Sequence, residues 1–200
     1  MIKAFCAALV LTVAAASTPA TQPAPQPAPG THRYLVERTF PAGALDGVDA
    51  KVKQKVNANN STLGVTWEKS YMNPAKTKTY CVYDAPSEVA VREAAKLNGL
   101  PVDSLIEIPA DLKVEPRGAV QDVGKGKQRY LVKRTGPVNA KGEGDARFGV
   151  TLLTAYATKD NSASYWVYAA PSFSAVESAA KASGSPFESI TEIPGTLYPN

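Results

Sequence analysis

The 200-residue sequence has one histidine, His32, and two cysteines, Cys6 and Cys81. A Ser-His-Asp triad would therefore depend on His32 alone, and the sequence has neither an H-E-x-x-H motif nor a cysteine cluster for a metal. The G-K-G-K-Q segment at 124–128 lacks the G-K-[ST] ending of a phosphate loop and precedes a predicted strand, which indicates a linker. The common catalytic motifs are thus absent.

The sequence also has little excess charge. Twenty-two Lys and Arg against 18 Asp and Glu give a formal net charge of +4, and these charges are spread along the chain. RNA-recognition domains share the topology predicted below, but their Gly-aromatic signature is missing. A small, dispersed charge does not favour a polyanion, so no nucleic-acid partner is expected.

An apolar run at 4–16 follows Lys3. It is too short to span a bilayer and has the length of a signal-peptide core, so we expect no stable membrane span. Ala14 and Ala16 form an A-x-A pattern that predicts cleavage after Ala16, with Ala20 as the second choice and a retained anchor as the alternative. Residues 1–16 are therefore interpreted as a signal peptide of a secreted or periplasmic protein.

Removal of that signal peptide leaves Cys81 as the only cysteine, so no intramolecular disulfide is expected. Residues 17–31 consist mainly of Pro, Ala, Gln and Thr without large apolar side chains. Such a segment cannot bury enough surface to form a core, and it predicts a disordered linker.

Two parts of the chain are near copies of each other. The segment YCVYDAPSEVAVREAAKLNGLPVDSLIEIP at 80–109 recurs 85 residues later as YWVYAAPSFSAVESAAKASGSPFESITEIP, and RYLVERTFP from Arg33 recurs 96 residues later as RYLVKRTGP. The missing eleven residues fall between 137 and 149, which predicts a truncated first helix in the second copy. The predicted organisation is a repeat at 32–112, a Pro- and Gly-containing linker at 113–127, and a degenerate repeat at 128–198.

Each copy predicts strand, helix, strand, strand, helix, strand. In the first copy, aromatic and β-branched runs mark the strands, the first helix begins at about Asp49, and the second lies between a Ser87 cap and Gly99. This order in about 80 residues is the ferredoxin-like plan, an antiparallel sheet with helices on one face. The predicted class is α+β, with two tandem repeats.

The motifs RYLVERTFP, GVTWEKSY and TYCVYDAPS together resemble a small bacterial ferredoxin-like family of unknown function, some members of which bind nickel. The resemblance implies sheet-to-sheet packing of two domains into a dimeric α+β barrel, here as an intramolecular pseudo-dimer in a monomer. In that family a His often precedes Ser-Tyr in the second strand, where this chain has Lys69 and, in the second copy, Thr154. An ammonium is a metal ligand only when deprotonated. Nickel, the cofactor that the resemblance suggests, is therefore not expected to bind tightly.

The candidate ligand-binding residues come from the strands of the first copy. Period-two alternation places Trp67, Lys69 and Tyr71 on one side of the second strand, and Cys81 with Tyr83 on one side of the third. Together with the Glu37 carboxylate of the first strand, these side chains could line a cleft between the repeats. The candidate residues are Glu37, Trp67, Lys69, Tyr71, Cys81 and Tyr83. The alternative is that the aromatic residues are only interface core and that Cys81 is a small buried hydrophobe.

Two functional hypotheses follow. The first is an exported, non-enzymatic protein whose inter-repeat barrel binds a small-molecule ligand. The alternative is an enzyme, or a degenerate enzyme, of the dimeric α+β barrel type, with Glu37, Tyr83 or Cys81 in acid/base or nucleophilic roles. The scarcity of histidine and the degenerate second copy favour the non-enzymatic binding protein. Because Lys133 and Leu152 replace Glu37 and Trp67 in the second copy, any site is expected in the first.

Overall fold

The computed structural model describes residues 30–108, 123–136, 144–184 and 187–199. The predicted signal peptide, nearly all of the 17–31 linker and most of the 113–127 linker lie outside these residues. The elements of the first repeat are β1 His32–Thr39, α1 Ala50–Ser61, β2 Thr66–Met72, β3 Lys78–Ala85, α2 Glu88–Leu97 and β4 Ser104–Glu107. Those that follow are β5 Gln128–Thr135, β6 Gly144–Asp145, β7 Val150–Ala157, β8 Ala163–Ala170, α3 Phe173–Ala182, β9 Ser189–Glu192 and β10 Gly195–Leu197.

Each repeat forms one antiparallel sheet with the ferredoxin-like strand order, β4-β1-β3-β2 in the first and β9-β5-β8-β7 in the second. Aliphatic and aromatic side chains from both sheets form a single buried cluster between them, which includes Leu35, Val82, Leu131 and Val167. The opposite face of each sheet packs in a separate cluster with its own helices. The predicted pseudo-dimer of two ferredoxin-like repeats, packed sheet to sheet, is confirmed.

The helices begin where side-chain caps are available. Asp49 Oδ1 accepts a hydrogen bond from the Val52 amide at 2.8 Å at the start of α1. Ser87 and Ser172 cap α2 and α3 in the same way, and the Ser87 Oγ accepts from the Ala90 amide at 3.2 Å. Each cap satisfies an amide that has no partner within its helix. Among the described residues, no helix has the length and apolar character needed to cross a membrane.

The second repeat differs from the first at its first helix. In the described part of the chain, a 3-10 turn, Ala146–Phe148, and the short strand β6 stand where the first repeat has α1. Gly149 then leads into β7 with φ of +70°, as Gly64 precedes β2 with φ of +67°. Both glycines have the left-handed backbone conformation that other residues adopt only with strain. The described residues 144–149 agree with the predicted truncation, whereas 137–143 lie outside the described residues.

The last strand leaves the repeat to which it belongs in sequence. β10 pairs antiparallel with β2 of the first sheet, with Leu197 opposite Ser70. Beyond β10, the Tyr198 carbonyl accepts a hydrogen bond from Lys53 Nζ at 3.1 Å, and the Pro199 carbonyl accepts one from Asn57 Nδ2 at 3.0 Å. The C-terminal segment is thus fixed along the first sheet and α1.

Candidate functional site

A β-bulge in β2 separates the six candidate residues into two groups. Trp67 is opposite Tyr83, but after the bulge Lys69 is opposite Val82 and Tyr71 opposite Tyr80. Trp67 and Tyr83 therefore face the helices, whereas Tyr71 and Tyr80 face the second sheet. Since one extra residue shifts the alternation by one position, the predicted single cleft lined by Trp67, Tyr71 and Tyr83 is wrong.

Glu37 lies between the two sheets and is 4% exposed. Its carboxylate accepts a hydrogen bond from Tyr165 Oη at 2.7 Å and is 3.2 Å from both Lys133 Nζ and Lys78 Nζ. Burial raises the pKa of Glu37, but the Tyr165 hydrogen bond and the two ammonium groups outweigh burial and hold the pKa below its ordinary value. Glu37 is therefore an ionised bridge between the repeats.

Lys69 and Tyr71 also lie between the sheets. Lys69 is 0% exposed, with Nζ 3.4 Å from Glu68 Oε1 and 5.7 Å from the centre of the Tyr71 ring. Arg33 also pairs with Glu68, and Tyr71 Oη is 3.2 Å from Tyr156 Oη of the second repeat. Glu37, Lys69 and Tyr71 thus act as polar contacts of the interface, which favours the alternative that these side chains are interface core.

The donor set at Lys69 does not fit nickel. The buried ammonium pairs with a carboxylate, and the corresponding residue of the second repeat is a buried threonine, Thr154. In the described part of the chain, no group of three or more His, Cys, Asp and Glu side chains could hold a metal ion. The imidazole and carboxylate ligands that nickel favours are not assembled there.

The other three candidates, Trp67, Cys81 and Tyr83, lie together on the helix side of the first sheet. They line a cavity of about 90 Å³ between the sheet, α1 and β10, which we call the α1 pocket. The apolar side chains around it include Phe40, Val48, Val52, Val56 and Leu197. This volume is below the roughly 300 Å³ of an ordinary ligand pocket, so only a very small molecule or part of a larger one would fit inside.

Arg38 contributes the positive charge of the α1 pocket. It is 2% exposed, Nη1 donates to the Pro101 carbonyl, Nη2 lies 3.4 Å from Tyr83 Oη, and the buried Nε has no hydrogen-bond partner. Burial lowers the pKa of Arg38, while neighbouring Tyr83 and Cys81 raise it and prevail. Burial raises the pKa of Tyr83 despite Arg38, so its hydroxyl remains a donor. The pocket therefore contains a fixed cation, a phenolic donor and a thiol.

The thiol of Cys81 has a hydroxyl neighbour as well, since Sγ is 3.3 Å from Thr79 Oγ1. Cys81 interacts with both Arg38 and Tyr83 closely enough to affect their pKa values. The alternative of an inert buried hydrophobe therefore leaves this polar neighbourhood unexplained.

Sequence reasoning missed Arg38. A signal for it was present, because the repeated motif RYLVxRT keeps an arginine as Arg134 at the same position of the second copy. Arg134 and Tyr168 also form an interacting pair, as Arg38 and Tyr83 do. Trp166, however, takes the position of Cys81, so the thiol belongs to the first repeat alone.

Residues 34–108 match the family of nickel-responsive SCO4226-like proteins. This match lies wholly within the first repeat and confirms the resemblance drawn from the sequence. No curated protein matches the chain.

Solved structures with a similar fold include an anthrone oxidase-like protein, at 13% identity and a TM-score of 0.41, covering 86% of this chain and 94% of that one. Chlorite dismutase from Candidatus Nitrospira defluvii, in complex with imidazole, has 10% identity and a TM-score of 0.41, covering 83% and 91%. These likenesses concern the fold alone. The proteins that share the fold carry enzyme names, which corrects the expectation of a non-enzymatic binding protein in favour of its alternative.

Proposed function

We propose that this protein is an enzyme, or a degenerate enzyme, of the dimeric α+β barrel type that acts on a small, largely apolar carbonyl compound in the α1 pocket. Cys81 is the nucleophile, and Arg38 and Tyr83 are the donors that stabilise negative charge on the carbonyl oxygen. Glu37 has no catalytic role, because its carboxylate lies on the opposite face of the sheet. Lys69 and Tyr71 lie between the sheets as well.

The observation that carries this proposal is the convergence of Arg38, Cys81 and Tyr83 in one apolar cavity. A buried guanidinium with an unpaired Nε is a donor available to an oxygen that becomes negative. A protonated phenol next to it adds a second donor. Apolar walls exclude water and strengthen both interactions.

In the proposed step, Sγ of Cys81 forms a bond to the carbonyl carbon while the thiol gives up its proton, which finally leaves with the departing group. The electron pair of the C=O double bond moves to the oxygen, where Arg38 and Tyr83 stabilise it. When the double bond re-forms, the bond to the leaving group breaks and its electron pair departs with that group. The product is a thioester on Cys81, the ordinary intermediate of thiol-dependent acyl transfer.

The test uses the small ester p-nitrophenyl acetate and intact-mass spectrometry. We expect one acetyl group per chain, located on Cys81, with a burst of p-nitrophenolate of the same stoichiometry. Replacement of a single oxyanion donor, in Y83F, lowers the acetylation rate at least about tenfold. The matched control is Y168F at the equivalent position of the second repeat, which leaves the rate unchanged.

Two outcomes of the acetylation experiment would contradict the proposal. Acetylation of surface lysines without Cys81, or equal rates for Y83F, Y168F and the unaltered protein, would overturn the proposed chemistry. Circular dichroism of each variant distinguishes a chemical effect from unfolding. Acetylation of Cys81 only after denaturation would mean that the thiol is a structural residue.

The cellular location of the protein is also proposed from the sequence. The apolar run at 4–16 and the cleavage pattern at Ala14 and Ala16 support export of the chain, with the mature protein beginning near residue 17. Expression in a bacterial host with its native N-terminus, followed by cell fractionation and mass measurement, tests this. A cytosolic protein that retains residues 1–16 would contradict it.

A further inference from the structure

The second repeat has an open cleft in the region that corresponds to α1 of the first. A cavity of about 270 Å³ lies between β5, β7, β8 and α3, and we call it the α3 cleft. Arg134 and Tyr168 lie at its base, with Asp145 and Arg147 at its rim. Its apolar wall includes Val150, Val176 and Ala179. Among the described residues, this cleft therefore has one charged and one apolar side.

Arg134 is a buried residue whose guanidinium interacts with the Tyr168 hydroxyl. Burial raises the pKa of Tyr168, although Arg134 opposes this, so the hydroxyl is a hydrogen-bond donor at neutral pH. A fixed cation and a donor thus lie at the base of the cleft. They resemble the Arg38 and Tyr83 pair of the α1 pocket, but without a thiol.

Arg147 is exposed at the rim, with 74% of its side chain accessible. Its Nε donates to Asp145 Oδ1 at 2.9 Å and its Nη2 donates to Asp145 Oδ2 at 2.6 Å. This two-bond geometry is the one in which a guanidinium recognises a carboxylate. Asp145 therefore shows what Arg147 can bind and acts as an internal competitor for a ligand.

We propose that the α3 cleft binds a short-chain carboxylic acid. The carboxylate lies between Arg134 and Arg147, and the hydrocarbon chain packs on Val150, Val176 and Ala179. Among the described residues that line the cleft, two are arginines and one is an aspartate, so the lining favours an anion over a neutral ligand. The apolar wall favours a carboxylic acid over inorganic phosphate, which has no apolar part to bury.

This site is independent of the chemistry proposed for the first repeat. The two tryptophans of the sequence report on the two sites separately. Trp67 lines the α1 pocket, whereas Trp166 stacks on Tyr168 at the base of the α3 cleft, with ring centres 6.3 Å apart and planes at 8°. Each indole N–H gives its own signal in a ¹H–¹⁵N spectrum, and W67F assigns them.

The experiment is a titration of the full chain with butyrate at constant ionic strength. We expect a saturable shift of the Trp166 indole signal and no shift of the Trp67 signal. Uncharged butanol leaves both signals in place, because the carboxylate is the group that the arginines recognise. Failure of Trp166 to move, or an equal response to butanol, overturns the proposal.

Two variants change affinity in opposite directions. R147Q weakens butyrate binding about tenfold or more, since it removes a two-bond contact. D145N strengthens binding, because it releases Arg147 while its amide oxygen can still accept the hydrogen bond from the Arg147 amide at the 3-10 turn. The control is R92Q, since Arg92 is a half-exposed arginine paired with Glu88 on α2 of the first repeat. Equal effects of R147Q and R92Q would show a general charge effect and exclude the site.

Discussion

Glu37 and Lys133 occupy the same position in the two repeats, and they contact each other across the interface, with Lys133 Nζ 3.2 Å from Glu37 Oε1. Two identical repeats would bring like charges together at this point, which is unfavourable. The change from Glu to Lys in one copy converts that repulsion into an ion pair. The substitution that looked like decay of a site is therefore better explained as a stabilising feature of the pseudo-dimer.

The pH dependence of stability follows from Glu37. Its pKa is lowered in the folded protein, so its contribution is fully present above its ordinary pKa of 4.5 and is lost as the pH falls through the lower folded value. E37Q costs about 1–3 kcal/mol at pH 7 and flattens the loss of stability below pH 5. Urea unfolding at pH 7 and pH 4 measures both effects.

The control for this prediction is K133Q. It should cost less than E37Q at pH 7, because Tyr165 and Lys78 still satisfy the Glu37 carboxylate. An unchanged pH profile for E37Q would show that another group governs the acid response.

The pair Tyr71 and Tyr156 predicts non-additive stability effects. Their hydroxyls lie 3.2 Å apart at equivalent positions of the two repeats. Y71F or Y156F alone leaves a buried hydroxyl without this partner, whereas the double variant removes both. Thermal and urea unfolding should give a coupling energy of about 0.5–1.5 kcal/mol. Additive losses would show that the two hydroxyls do not interact in solution.

Deletion of residues 195–200 should open the α1 pocket. β10 pairs with β2, and Leu197 lines the pocket, so its removal exposes the β2 edge and the Trp67 side of the cavity. We expect Tm to fall by about 5 °C or more. Acrylamide quenching of Trp67, measured in the W166F variant, should increase on deletion. Quenching of Trp166, measured in the W67F variant, should not change. Equal quenching changes for the two tryptophans would indicate global loosening instead.

The mature chain should not bind nickel stoichiometrically. The ammonium of Lys69 pairs with Glu68, and a borderline metal would have to displace that pair without an imidazole ligand. Calorimetric titration of protein purified without a histidine tag should show no binding event at micromolar nickel. A one-to-one binding event would contradict this assignment and identify a ligand set other than the one at Lys69.

The repeats, the strand order and the missing helix could be predicted because they depend on local periodicity and on the comparison of one copy with the other. The separation of Trp67 and Tyr71 onto opposite faces could not be predicted, because the bulge at Glu68 is a single-residue change in alternation. No propensity of the sequence VTWEKSY indicates that shift. A matching bulge between Leu152 and Thr154 shows that it belongs to the repeat itself.

The role of Arg38 was hidden for a different reason. A charged residue in a strand is ordinarily assigned to solvent, and the loop carbonyl of Pro101 that binds it is 63 residues away in sequence. Its burial depends on a long-range contact that the local pattern does not contain. Cys81 was recognised as buried, but its charged neighbour could be seen only in three dimensions.

The position of β10 also determines the order in which the molecule can be completed during translation. The ribosome releases the first repeat well before Gly195–Leu197, so the β2 edge of the first sheet stays uncovered until these residues are made. Until then, nascent chains expose an unpaired strand edge, the kind of surface through which polypeptides associate incorrectly. A chain that stops before residue 195 would therefore lack a strand of the half that was made first.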